Sequence, residues 1–169
     1  MNTMDHPTEM LLTVAGLGHR RPFPGTWGSI PPVVIAGVLI AAGLGPGSTL
    51  AWIYFAAMAL LAVVFTLVCV LLGIQAEAKW GKDPSQVVAD EVAGQSITLM
   101  FIPAGVCVCP MSTIWVLLGA FVLFRAFDIL KPWPAGAVQR IAGGWGVVLD
   151  DLIAGVMAGV AMLIVLWIL

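Results

Sequence analysis

Charged side chains occupy four short stretches of this chain, and nearly everything between them is apolar. Asp5, Glu9, Arg20 and Arg21 lie near the start. Glu77, Lys79, Lys82, Asp83, Asp90 and Glu91 form a second group. Arg125, Asp128, Lys131 and Arg140 form a third, and Asp150 and Asp151 a fourth. Residues 48–74 (STLAWIYFAAMALLAVVFTLVCVLLGI) carry no charge. As a helix they reach roughly 40 Å, enough to cross a hydrocarbon core of about 30 Å with some tilt. Residues 152–169 make a second, shorter apolar run containing the step Gly155–Gly159, a spacing that permits close helix approach. Residues 30–43 (IPPVVIAGVLIAAG) read as a short span or a dipping segment.

Residues 95–124 are also uncharged, but Pro103, Gly105 and Pro110 interrupt them. Proline in a helix interior removes a hydrogen bond and clashes with the preceding turn. The stretch therefore predicts a hairpin turning near PAGVCVCP rather than one long helix. Charge placement favours the same reading. If the charged stretches build one site, each apolar run between them crosses the membrane an even number of times. Segments 30–43 and 48–74 make one such pair, and 95–124 folds back to make another. All seven Lys and Arg then share one side, which the positive-inside rule assigns to the cytoplasm. The last helix leaves the C-terminus on the far face. Trp52 and Trp167 would mark the outer interface, and Trp80, Trp133 and Trp145 the inner one.

Composition agrees with a lipid solvent. The chain has 169 residues, of which 61% are hydrophobic and only 9% charged. Soluble domains carry roughly 25% charged residues, and a chain this short exposes too much surface to hide the difference in a core. The expected architecture is an all-α, membrane-embedded bundle of about four to five apolar helices. Residues 1–169 form one integral-membrane domain: an N-terminal segment and Gly/Pro-rich loop over 1–29, then the bundle over 30–169. The net charge of −2 suggests no nucleic-acid partner. The three cysteines (Cys69, Cys107, Cys109) lie in apolar runs without the spacing of a zinc or disulfide framework.

The acids carry the chemistry. In KDPSQVVADEVAG (82–94), Asp83 followed by Pro84 predicts a helix start, with Asp90 and Glu91 in the helix interior. The flanking apolar residues leave these two acids little polar face for solvent. Asp128 follows Arg125 by three residues, a spacing that allows pairing on a helix. Asp150 and Asp151 sit on a helix predicted to begin near Val147, at the mouth of an apolar run, where an acid is costly unless paired or bound to a cation. Five carboxylates, Asp90, Glu91, Asp128, Asp150 and Asp151, are thus expected at one depth. Oxygen-only ligands select hard cations such as Mg²⁺. Metal ligation is assigned to Asp90, Glu91, Asp128 and Asp150; Asp151 joins them as a catalytic acid, and ligand and base are not told apart. Arg125, Lys131 and Arg140 suit a phosphate, and the Gly/Pro-rich segment 16–32 adds the hydroxyls of Thr26 and Ser29. The chain lacks the residues of the cysteine-, aspartate- and histidine-nucleophile phosphatases, which leaves a metal-activated water. An ion-coupled transporter using the same acids is the alternative from another class.

Four stretches resemble the phosphatidylglycerophosphatase A family: PGTWGS (24–29), VVADEVAGQSIT (87–98), FRAFDILKPWP (124–134) and GGWGVVLDDLIAGV (143–156). They cover nearly the whole chain in order, while HRR (19–21) departs from the family's small-residue run. The resemblance implies an all-α, Mg²⁺-dependent hydrolase of bacterial phospholipid synthesis. Its substrate would be phosphatidylglycerophosphate and its product phosphatidylglycerol. It would be a multi-pass protein of the inner membrane with its site facing the cytoplasm. A lipid phosphatase for another headgroup, such as phosphatidic acid, is the nearer alternative.

Overall fold

The computed structural model describes residues 4–82, 84–138, 141 and 143–168. These residues form seven α-helices, a 3-10 turn at Leu17–His19, and no strand. The helices are α1 (His6–Leu12), α2 (Pro24–Ala41), α3 (Ala51–Trp80), α4 (Ala89–Met100), α5 (Pro110–Leu130), α6 (Ala135–Val138) and α7 (Gly144–Ile168). Among the described residues, α2, α3, α5 and α7 are long and apolar enough to cross a membrane. Their outward faces carry large exposed apolar side chains such as Val38, Leu60, Leu71, Trp115 and Ile164, as lipid-facing helices require.

The stretch 95–124 is a hairpin, as its prolines and charges suggested. Its first arm is α4, which at twelve residues reaches only about 18 Å. Nine of those residues are buried, so protein rather than lipid surrounds the helix. The turn between α4 and α5 meets the turn between α2 and α3: Gly45, Ser48, Pro103, Gly105 and Cys107 line one cavity. Trp167, near the end of α7, reaches the same end beside Pro103 and Val106. The Trp133 and Trp145 side chains are exposed at the opposite end. Tyr54, Met58, Leu99, Leu117 and Met162 form the core near the turns. Leu12, Cys69, Val87, Ala93, Val147 and Val148 form a second core towards the charged end.

Glycines set the tightest helix approaches. A Cβ on Gly155 of α7 would lie 2.3 Å from the Gly94 carbonyl oxygen of α4, and one on Gly94 would lie 2.5 Å from the Asp151 carbonyl oxygen. The Thr98 hydroxyl donates across this crossing to the Gly155 carbonyl at 3.1 Å. At the start of α7, a Cβ on Gly144 would lie 2.3 Å from the Cys69 carbonyl oxygen of α3. Backbones can approach this closely only where side chains are absent.

Three boundaries differ from the sequence reading. The Gly/Pro-rich segment was expected to be a loop through residue 29, yet α2 begins at Pro24 and is a full-length candidate span. Pro24 fixes φ at the helix start, and Gly25 and Gly28 are buried against α4 and α5, so packing overrides the weak propensity. The second difference is at Pro84, which starts a turn rather than a helix. The Val87 N–H donates to the Pro84 carbonyl at 2.9 Å, and the Val88 N–H is taken by Leu12 at 3.0 Å. The N-terminal segment thus delays α4 to Ala89; Asp83 lies outside the described residues. Finally, α7 starts at Gly144, not near Val147, because the glycine can seat against α3.

Replacing Gly155 by leucine will force α4 and α7 apart. Overpacking of this kind costs about 1–3 kcal/mol or more, so the variant should show a lower Tm in detergent and a smaller folded fraction by size exclusion.

Candidate active site

Three helix ends deliver the acids to one place. Asp90 and Glu91 lie in the first turn of α4, Asp128 in the last turn of α5, and Asp150 and Asp151 in the second turn of α7. Asp90, Asp128, Asp150 and Asp151 are buried, and the Glu91 side chain is only 13% exposed. Carboxylate oxygens of Asp90, Glu91 and Asp151 lie within 4.8 Å of one another. One Asp90 oxygen accepts the Glu91 N–H at 3.1 Å, where the positive end of the helix dipole favours an acid.

The other two acids are engaged by cations. Arg125 approaches Asp128 at 2.6 Å and Glu91 at 3.7 Å. Lys131 pairs with Asp150 across the α5–α7 interface. Consecutive helical residues point about 100° apart, which lets Asp150 meet Lys131 while Asp151 meets the acids of α4. Lys131 itself is in the left-handed region (φ 43°) at the end of α5. Burial alone would lower its pKa, but the hydrogen bond to Asp150 and the neighbouring acids outweigh this and raise it.

The N-terminus of α2 closes the site. A Cβ on Gly25 would lie 2.1 Å from Glu91 Oε1 and 2.8 Å from Arg125 Nη1. Glycine therefore lets the acid and the guanidinium rest on the helix backbone. Thr26 is half-buried in this first turn. Ser29 is buried one turn further on, and its hydroxyl donates to the Gly25 carbonyl at 2.9 Å. Arg140 lies outside the described residues. His19 sits away from the acids, 3.0 Å from Glu9, which also receives Lys79 at 2.6 Å. Arg20 stacks on the Trp27 ring at 5.4 Å.

The acid groups bear on metal binding. Glu91 Oε2 and Asp151 Oδ2 are buried and have no hydrogen-bond partner among the described residues. On α4, burial pushes Glu91 up to about 8, opposed first by a side-chain hydrogen bond with Asp90 and less by the Arg125 charge. Burial, followed by the Glu91 charge, also raises Asp90. Three mutually close buried acids cannot all ionise without added positive charge. Their donors are all carboxylate oxygens, which fit a hard divalent cation. The geometry groups Asp151 with Asp90 and Glu91, whereas the sequence-level ligand set had named Asp128 and Asp150 beside them. Asp128 and Asp150 each meet a protein cation directly beside this group. Sequence reading also missed Gly25, whose only signal was the Pro-Gly pair that opens α2.

Against known proteins, the family model for phosphatidylglycerophosphatase A matches residues 10–166. The chain belongs to the phosphatidylglycerophosphatase A family. A Haemophilus influenzae protein named phosphatidylglycerophosphatase A is 34% identical over 159 residues, covering 90% of this chain and 85% of that protein. Its Escherichia coli namesake is 31% identical over 157 residues, 92% of this chain and 81% of that one. A Bacteroides thetaiotaomicron protein with the provisional name phosphatidylinositol-3-phosphatase is 35% identical over 154 residues, 91% of this chain and 90% of that one. No solved structure matches the chain. Family membership and the apolar helices together support a phospholipid phosphatase embedded in a membrane.

In that setting Gly25→Ala is informative. The three atoms nearest the added methyl are the ends of the Glu91 and Arg125 side chains, so the bundle should fold with a near-normal Tm. Displacing groups at a reacting centre by about 1 Å costs roughly 10²-fold in rate. A loss of that size in phosphate release from lipid phosphomonoesters, with folding retained, is the expected result.

Proposed function

We propose that the protein hydrolyses the terminal phosphate monoester of phosphatidylglycerophosphate, giving phosphatidylglycerol and inorganic phosphate, at a Mg²⁺ site. The observation that carries this is the convergence of Asp90, Glu91 and Asp151 within 4.8 Å, beside Arg125, in a chain of this family. Two relatives bear the name of that activity.

Asp90, Glu91 and Asp151 are the residues that would hold Mg²⁺. Bound there, it would supply Lewis-acid stabilisation of charge on a phosphate oxygen. The protein's own groups account for the remaining work. Arg125, braced by Asp128, presents N–H groups to the anion next to the N-terminus of α2, where backbone dipoles favour negative charge. Lys131 adds positive charge from the end of α5. A carboxylate oxygen not committed to a protein partner, on Glu91 or Asp151, accepts a proton from the attacking water. The water oxygen bonds to phosphorus, the bond from phosphorus to the glycerol oxygen breaks, and the proton passes to the departing alcohol.

The acid end is assigned to the cytoplasmic face of the bacterial inner membrane. Arg20, Lys79, Arg125 and Lys131 lie at that end with the acids, and the positive-inside rule supports the orientation. Acids at helix ends also favour hydrolysis over ion-coupled transport, which places its sites near the bilayer midplane. A second headgroup reading comes from the Bacteroides relative's name, in which the terminal phosphate belongs to an inositol lipid.

Purified protein should release phosphate from phosphatidylglycerophosphate with Mg²⁺, lose activity in EDTA, and regain it when Mg²⁺ is restored. Asp90→Asn, Glu91→Gln and Asp151→Asn should each lower kcat at least about 10³-fold while the folded yield stays normal. Faster turnover of phosphatidylinositol 3-phosphate or phosphatidic acid would reassign the substrate. Near-normal rates in all three variants would remove the site.

A further inference from the structure

Gln95 is a buried amide in the middle of α4. It is fully buried, and both Oε1 and Nε2 lack a hydrogen-bond partner among the described residues. Its neighbours on α4 behave differently. Ser96 donates to the Val92 carbonyl at 2.7 Å, and Thr98 donates to the Gly155 carbonyl at 3.1 Å. A buried amide left without a hydrogen bond costs on the order of 1–3 kcal/mol. A methionine or leucine would fill the same space without that cost.

Position suggests what the amide is for. Gln95 follows Glu91 by four residues, so it lies about 40° round the helix and roughly 6 Å along it. In helical register it falls between Glu91 and Val88. Glu91 abuts Gly25 and Arg125, and Val88 abuts Gly28, so the shared face is turned towards α2 and α5. Glu91 Oε2, one turn away, also has no partner among the described residues. Two side chains with polar atoms that lack a hydrogen-bond partner among the described residues thus lie on adjacent turns of one face.

We propose that Gln95 is a positioning residue whose amide holds a hydroxyl group beside Glu91, either the attacking water or a free hydroxyl of the lipid headgroup. This rests on the phosphatase reading above. An amide both donates and accepts, which matches an O–H group. A bare phosphate oxygen would use only the donors, and Arg125 supplies those already.

The test compares wild type with Gln95→Met and Gln95→Leu in detergent, measuring Tm in EDTA and steady-state kinetics on phosphatidylglycerophosphate with Mg²⁺. The expected result is an unchanged or raised Tm, because an unsatisfied group has been removed, together with a loss of about 10- to 100-fold in kcat/KM. A fall in kcat at constant KM would identify the water as the group held, and a rise in KM the headgroup hydroxyl. Wild-type kinetics in either variant would overturn the proposal. A sharp drop in Tm for both variants would overturn it too, by making the amide structural. If wild type itself releases no phosphate, the phosphatase reading fails instead, and the two failures are distinguishable.

Discussion

The crossing of α4 over α7 is the constraint on which the other features depend. Two glycines, Gly94 and Gly155, bring backbone against backbone, and Thr98 bonds across the contact. Lipid supplies no hydrophobic drive for helices to associate, so close packing and interhelical hydrogen bonds must do so. The crossing stacks the second turn of α7 beside the first turn of α4. Asp151 can then share a 4.8 Å cluster with Asp90 and Glu91. Were the helices held apart by ordinary side chains, with axes separated by about 8–10 Å, the carboxylates would face one another across a gap.

Concentrating five acids at one end of a bundle creates an electrostatic problem that the fold answers unevenly. Arg125 and Lys131, both near the end of α5, meet Asp128 and Asp150. Among the described residues, the trio on α4 and α7 is approached by Arg125 at 3.7 Å from Glu91. Buried like charges raise each other's cost of ionising. A divalent cation removes that cost and leaves the paired acids in place. Asp128 of α5 and Asp150 of α7 thus differ from the α4 acids in how directly a protein cation meets them.

Much of this arrangement was legible in the chain. Long uncharged runs of 48–74 and 152–169 gave α3 and most of α7, and Pro103 and Pro110 marked the hairpin. The requirement that the charged stretches share one side places the acids together from the chain alone. Features that depend on tertiary contact were not legible. PGTWGSIPP contains three prolines and two glycines, so local propensity argues for a loop; it is helical because Gly25 and Gly28 fit against the Glu91–Arg125 pair and Val88. Asp83–Pro84 carries the local chemistry of a helix start. The carbonyl of Leu12, some seventy positions away, takes the Val88 N–H and holds the segment as a turn. Likewise, residue spacing could not separate Asp151 from Asp150. Their neighbours diverge through a rotation of about 100° on the helix.

The far end of the bundle explains how a helix as short as α4 can exist in a membrane. Its last carbonyls would face hydrocarbon without partners, which is costly. The Tyr54 hydroxyl of α3 donates to the Leu99 carbonyl at 3.0 Å, and the Phe101 N–H folds back to Thr98 at 3.1 Å. Around them Tyr54, Met58, Leu117 and Met162 form an apolar plug. With the Thr98 and Leu99 carbonyls satisfied, α4 can end inside the bundle. Its N-terminus, with the dipole's positive end and two acids, can be placed at the interface where a lipid headgroup sits. A polar site is thereby carried on a helix most of whose residues are buried in protein.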